Sequence, residues 1–256
     1  MIFQYLLKNS DLGSLFRFVS PNFFKVVSPS VLLRIGKELK QNQGDPKNWE
    51  KLWTQYSTTL HKADIGIKLD PVAPLPQTQI HLEPHVQELG ERLLVLFFHQ
   101  ILTQDIWILD FRAEAVAVDA RSHSLWKPKP FYFSISPSFL KGVRSLYQGF
   151  YGSDDALFDQ ALLDLGLSAA KTSLKNHFGR GDQSQVEFKL KTFQNTFTEV
   201  FEVCAREKIE LQPEFFILGI MLLGLYQQLE ILAIPFDARK CFNFASEIAQ
   251  NRKGMK

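Results

Sequence analysis

Apolar positions in this chain change period several times, and the changes mark its elements. From Ser14 to Val27 short apolar runs broken by Ser20-Pro21-Asn22 predict two short strands around a turn. Pro29 then stands where a helix can start, and Val31, Leu32, Ile35 and Leu39 recur at helical spacing. Gln43-Gly44-Asp45-Pro46 ends that helix, and a second runs from Trp49 to the vicinity of His61. Pro71, Pro74, Pro76 and Pro84 crowd the next stretch, which has almost no helical period and reads as a hinge or boundary over 71–84. Leu89, Leu93, Leu96, Phe97 and Ile101 then form one stripe, predicting a helix from His85 to Gln104. Ile106 to Leu109 reads as a strand, and Val116-Ala117-Val118 is a second short apolar stretch.

Beyond Ser134 the pattern is helix after helix. Ser136-Pro137 places a cap and a first-turn proline before Phe139, Val143, Leu146 and Phe150. Gly152-Ser153-Asp154-Asp155 predicts a turn and a new helix whose positive end faces two carboxylates, with Gly166 as its terminator. A loop over Gly179 to Asp182 precedes two long helices, Val186 to Arg206 and Pro213 to Leu232, the second almost wholly apolar and therefore central.

Composition narrows the function classes. A chain of 256 residues with 45% hydrophobic residues can bury a real core, which excludes disorder and disulfide-dependent mini-folds. Its 29 basic and 27 acidic residues are interspersed, against the clustered cations of a nucleic-acid binder. Two cysteines, Cys204 and Cys241, are too few for a disulfide framework, and neither has a partner at metal-ligand spacing. The first residues show neither a charged region ahead of a long apolar stretch nor a small-residue cleavage site. The run Phe215 to Tyr226 is shorter than the about 20 residues that span a bilayer. A cytoplasmic protein without a transmembrane segment is expected, with peripheral membrane contact left open. The unusual count is 23 phenylalanines, which with four tryptophans and six tyrosines makes the chain aromatic-rich.

Candidate chemistry is sparse. His81 and His85 have the spacing of a helical metal pair, but Pro84 between them argues against a shared helix, so no metal is expected. No nucleophile elbow, P-loop or dinucleotide fingerprint occurs. Gly179-Arg180-Gly181-Asp182 follows a helix rather than a strand and reads as a solvated loop. Lys127-Pro128-Lys129-Pro130 reads as a rigid surface connector, with a docking motif as the alternative. Asp110 stands at the end of the Ile106–Leu109 strand, where catalytic acids often sit and where structural aspartates are equally at home.

Two stretches carry a family resemblance. Ile135-Ser136-Pro137 through Gly152-Ser153-Asp154-Asp155-Ala156-Leu157 to Asp164-Leu165-Gly166-Leu167 is similar, without a gap, to a region of the UbiB (AarF-type) atypical kinase family. In that family a helix opening with Ser-Pro is followed by a Gly-Asp-x-Asp turn and a helix ending in Leu-Gly. Gln212-Pro213-Glu214-Phe215-Phe216 with Glu230 and Pro235-Phe236 resembles its closing signature. Upstream, Phe97-Phe98-His99-Gln100-Ile101 resembles the helix before the catalytic loop, and Ile108-Leu109-Asp110-Phe111-Arg112-Ala113-Glu114-Ala115 falls on the loop itself. Phe24-Lys25-Val26-Val27-Ser28-Pro29 resembles the strand with the ATP-contacting lysine, leaving Lys25 in its place. The resemblance covers about two-thirds of the chain and is firmer in its C-terminal half.

The resemblance implies an α+β, protein-kinase-like fold. It would have a reduced N-lobe-like portion (1–70) with few strands, a Pro-rich hinge (71–84) and a helix-dominated C-lobe-like portion (85–250). It also implies a loss of chemistry. Ala115 replaces the metal-binding Asn and Pro128 falls where the metal-binding Asp should be, and neither carries a side-chain oxygen for magnesium. The expected function is that of an inactive UbiB-like pseudokinase, a scaffold or regulator tied to isoprenoid-quinone or lipid metabolism. Its partner would be a protein, with an intact UbiB-type kinase as a candidate, and no cofactor is expected. One alternative is residual ATPase or kinase activity on ATP through Lys25 and Asp110, with the magnesium held by acids such as Glu114 or Asp119. Another is a helical carrier whose aromatic cavity takes a lipid or quinone. Under the plain reading Lys25 and Asp110 are a strand lysine and a strand-end acid. Phe111 and Phe131 fall in or beside the loops that would hold catalytic groups, so a pseudokinase cleft should be plugged by them.

Overall fold

A computed structural model of the chain describes residues 26–69, 83–119, 123–178 and 185–253. The fold is α+β and mostly helical, with few and short strands. Helices α1 (Pro29–Gln43) and α2 (Pro46–Ala63) lead to strand β1 (Ile67–Lys68). Helix α3 (Glu83–Thr103) is followed by β2 (Ile106–Ile108), a 3-10 turn (Ala113–Ala115), β3 (Val116–Val118), β4 (Ser124–Trp126) and β5 (Tyr132–Ser134). The rest is helical: α4 (Pro137–Tyr151), α5 (Asp155–Asp164), a 3-10 turn (Ser168–Ala170), α6 (Lys171–Phe178), α7 (Leu190–Arg206), α8 (Pro213–Leu232) and α9 (Ala238–Lys253).

The helix boundaries follow local chemistry. Pro29, Pro46, Pro137 and Pro213 each open a helix, where a missing N–H costs nothing and the fixed φ is already helical. The Ser28 hydroxyl accepts from the Val31 N–H, Asp45 from Asn48 and Asp154 from Leu157, capping α1, α2 and α5. Pro84 also lies in the first turn of a helix, so it starts α3 rather than breaking it before His85. His81 and most of the Pro-rich stretch lie outside the described residues.

Other expectations are corrected. Val26 and Val27, which close the expected strand pair, are helical and bent, and Lys25 lies outside the described residues. The helix placed from Val186 begins instead at Leu190. Val186 exchanges backbone hydrogen bonds with Phe236 at 2.9 and 3.0 Å, so a distant partner holds it extended. β4 and β5 fall where no strand was read, because three-residue strands are too short to show a period. β4 lies between β1, to which it is parallel, and β3, to which it is antiparallel, while β2 pairs antiparallel with β5. The larger sheet therefore draws strands from both sides of the Pro-rich stretch.

One hydrophobic cluster joins α1 and α2 to the later helices. α8 is its centre: Ile217 and Met221 are fully buried there. Among the described residues α8 is the one helix long and apolar enough to cross a membrane, but 72% of its most apolar window is buried inside the fold. α3 packs along α9, and α4 and α5 form a tight antiparallel pair. Gly149 makes that pair possible, since a Cβ there would lie 2.5 Å from the Phe158 backbone nitrogen.

Candidate functional site

Asp110 follows β2 and sits where the two small sheets meet. The Leu109 N–H donates to the Phe131 carbonyl at 2.8 Å, and the Lys127 N–H donates to Ala115 at 2.8 Å. These bonds draw the segment after β2 and the segment between β4 and β5 together. The Asp110 side chain is 1% exposed. Its Oδ1 accepts from Arg112 Nε at 2.7 Å and from the Arg112 backbone N–H at 3.4 Å. Its Oδ2 accepts from Arg112 Nη2 at 3.2 Å and from the Lys129 backbone N–H at 2.9 Å. The Asp110 carbonyl also accepts from the Trp126 indole N–H at 2.8 Å.

A carboxylate offers about four lone-pair sites, and here each oxygen accepts two donors. A general base must present a lone pair to the proton it removes. Asp110 presents none to solvent: its charge is balanced by Arg112 and its geometry is that of a latch between chain segments. The connector reading of Lys127-Pro128-Lys129-Pro130 is corrected by the same contact. Pro128 is buried and the Lys129 N–H is tied to Asp110, while the Lys129 side chain remains exposed.

Aromatic rings fill the space around the latch. Phe111 is fully buried, 5.8 Å centroid to centroid from Trp126 and 6.4 Å from Phe97. Trp53 of α2 meets Trp126 edge-on at 5.8 Å. Phe131 is 6% exposed. The other candidates are dispersed. Ala115 is buried, Glu114 is exposed on its 3-10 turn, and Asp119 holds the His123 Nδ1 at 2.9 Å. Among the described residues no three His, Cys, Asp or Glu side chains are grouped as metal ligands.

Arg112 and Trp126 are the site residues that sequence reasoning missed. An arginine two positions after an aspartate is a weak signal, and nothing local announces that an indole 16 residues away will cap the Asp110 carbonyl.

A second aromatic feature lies between α3, α4 and α8. Phe97, Phe98, Tyr147, Tyr151, Leu222 and Tyr226 are among the side chains around a small pocket of about 20 Å³. A cavity that accepts benzene is about 150 Å³, so this one is of single-water size. Burial pushes the Tyr147 and Tyr226 phenols well above their ordinary range, as it does Tyr151.

No family model matches the chain, and no curated protein matches it.

Proposed function

We propose that this chain is a UbiB-like pseudokinase, a protein of kinase ancestry that works by binding as a scaffold or regulator rather than by phosphoryl transfer. The observation that carries the proposal is the saturated, buried state of Asp110, the acid that the resemblance would assign to catalysis. Phosphoryl transfer depends on positioned charge: a lysine on the phosphates, an acid at the acceptor hydroxyl and ligands for magnesium. Here the acid is spent on Arg112 and the Lys129 N–H, and Ala115 and Pro128 bring no side-chain oxygen to a metal. The apolar packing of Phe111 and Phe131 agrees with a cleft refilled by side chains. A protein partner, with an intact UbiB-type kinase as first candidate, and the tie to quinone or lipid metabolism both rest on the resemblance.

Thermal unfolding with ATP, with and without magnesium, tests the reading. The expected result is the same midpoint in both conditions, and a clear magnesium-dependent stabilisation by ATP would overturn it. The carrier alternative gains nothing from the aromatic pocket between α3, α4 and α8, which is too small for a quinone ring.

A further inference from the structure

A groove of about 820 Å³ opens at the end of α2, beside β1 and the Ser124 end of β4. That volume lies in the range of small-molecule sites, about 300–1,000 Å³. Its apolar wall is Ile67 and Leu69, both partly exposed, backed by the buried Leu60 and Ile65. The polar lining carries Lys62, Lys68 and Arg92 against Asp64. Lys62 and Lys68 form no ion pair among the described residues, and both are exposed. Arg92 donates from Nη1 to Ser124 Oγ at 3.1 Å and from Nη2 to Glu88 one turn earlier on α3. Gly66 sets the place of that guanidinium: its φ is +74°, and a Cβ there would lie 2.7 Å from Arg92 Nε.

The Glu88 carboxylate on Arg92 marks what the groove can take. Glu88 is 47% exposed and pairs at i,i+4, the geometry of a weak, exchangeable surface pair. A ligand carboxylate could replace it on the planar fork of Arg92, while Lys62 and Lys68 outweigh Asp64 by one charge (two cations less one carboxylate). Charge and apolar wall together select a singly charged amphiphile. We propose that this groove binds an organic carboxylate with an apolar body, independently of the pseudokinase reading.

Octanoate is the probe, with octanamide as the neutral arm of equal length. Titration calorimetry on the full chain should show octanoate binding at least tenfold tighter than octanamide, weakening as salt is raised. Arg92→Gln and, separately, Lys68→Gln should each weaken octanoate by about tenfold, with Arg206→Gln on α7 as an unaffected control. Circular dichroism reports whether each variant is folded, and Lys68 is exposed, so its variant keeps the test open if Arg92→Gln unfolds. Equal binding of octanoate and octanamide, no binding of octanoate at millimolar concentration, or undiminished octanoate binding by folded Lys68→Gln overturns the proposal.

Discussion

Arg112 holds Asp110 through a forked contact, Nε to Oδ1 at 2.7 Å and Nη2 to Oδ2 at 3.2 Å, although the two residues are only two positions apart. The contact folds the chain after β2 back on itself and leaves Oδ2 pointing at the Lys129 N–H, 19 residues on. A catalytic acid held this way would have to break its own scaffold to act.

Removing the acid should therefore cost stability. Asp110→Ala removes the buried carboxylate that accepts from the Arg112 guanidinium and from the Lys129 N–H. Loss of a buried ion-pair partner costs about 3–5 kcal/mol, and the 19% exposure of Arg112 places this case at the low end, about 3 kcal/mol. Asp110→Asn keeps one acceptor oxygen and should cost about 1–2 kcal/mol. Urea unfolding of the two variants checks this, and a loss below about 0.5 kcal/mol for Asp110→Ala would show that the latch contributes little.

Arg144 should matter for a different reason. Its Nε donates to the Ile101 carbonyl at 2.8 Å and its Nη2 to the Gln104 carbonyl at 2.9 Å, so α4 supplies a cation to the carbonyl-rich end of α3. Burial pulls its pKa down from the ordinary arginine value. Arg144→Met keeps the stem and removes both bonds, for an expected loss of about 1.5–3 kcal/mol. Hydrogen exchange should show faster opening at the end of α3 in this variant.

Two glycines in helices should respond oppositely to alanine. At Gly36 in α1 nothing lies within 4 Å of an added Cβ, so Gly36→Ala gains helix propensity, about 0.5–1 kcal/mol of stability. At Gly149 the added carbon meets the Phe158 backbone, which cannot turn aside as a side chain can. Gly149→Ala should cost about 1–3 kcal/mol by prising α4 from α5. Thermal midpoints that move in the same direction for both variants would contradict the packing described.

Alkaline pH should unfold the protein steeply. Burial pushes the Cys204 thiol up to about 11 and the Cys241 thiol up to about 12, from an ordinary value near 9.0. It raises the Tyr56, Tyr147, Tyr151 and Tyr226 phenols as well. The unfolded chain ionises first, so the stability these groups contribute is fully present below pH 8. It falls as pH rises past the unfolded values toward the folded ones. Each group that is ionised only in the unfolded state subtracts about 1.4 kcal/mol per pH unit. Denaturant midpoints that stay flat between pH 8 and 11 would contradict this. At pH 8 both thiols should alkylate slowly in the folded protein and quickly in denaturant.

The sequence by itself determined what is encoded within a few turns of chain. Pro29, Pro137 and Pro213 predict helix starts that the fold keeps, because a proline at the first turn acts through its own φ and its own missing N–H. The apolar run of α8 likewise announces a central helix, and the turn over Gly152 to Asp155 opens α5 as its carboxylates suggest.

Tertiary structure alone decided the strands and the site. β4 exists because β1 and β3 flank it, and Val186 is extended because Phe236 completes its hydrogen bonds. The chemical state of Asp110 was equally out of reach. An acid at a strand end is written the same way whether it faces a substrate or is latched by Arg112, the Lys129 N–H and the Trp126 indole. Two of those three partners lie 16 and 19 residues away, beyond the range of local periodicity, and one of the groups is a backbone N–H that every residue except proline carries. Hydrogen-bond saturation and burial belong to the packed chain, and they arise only when β2, β4 and β5 are brought together.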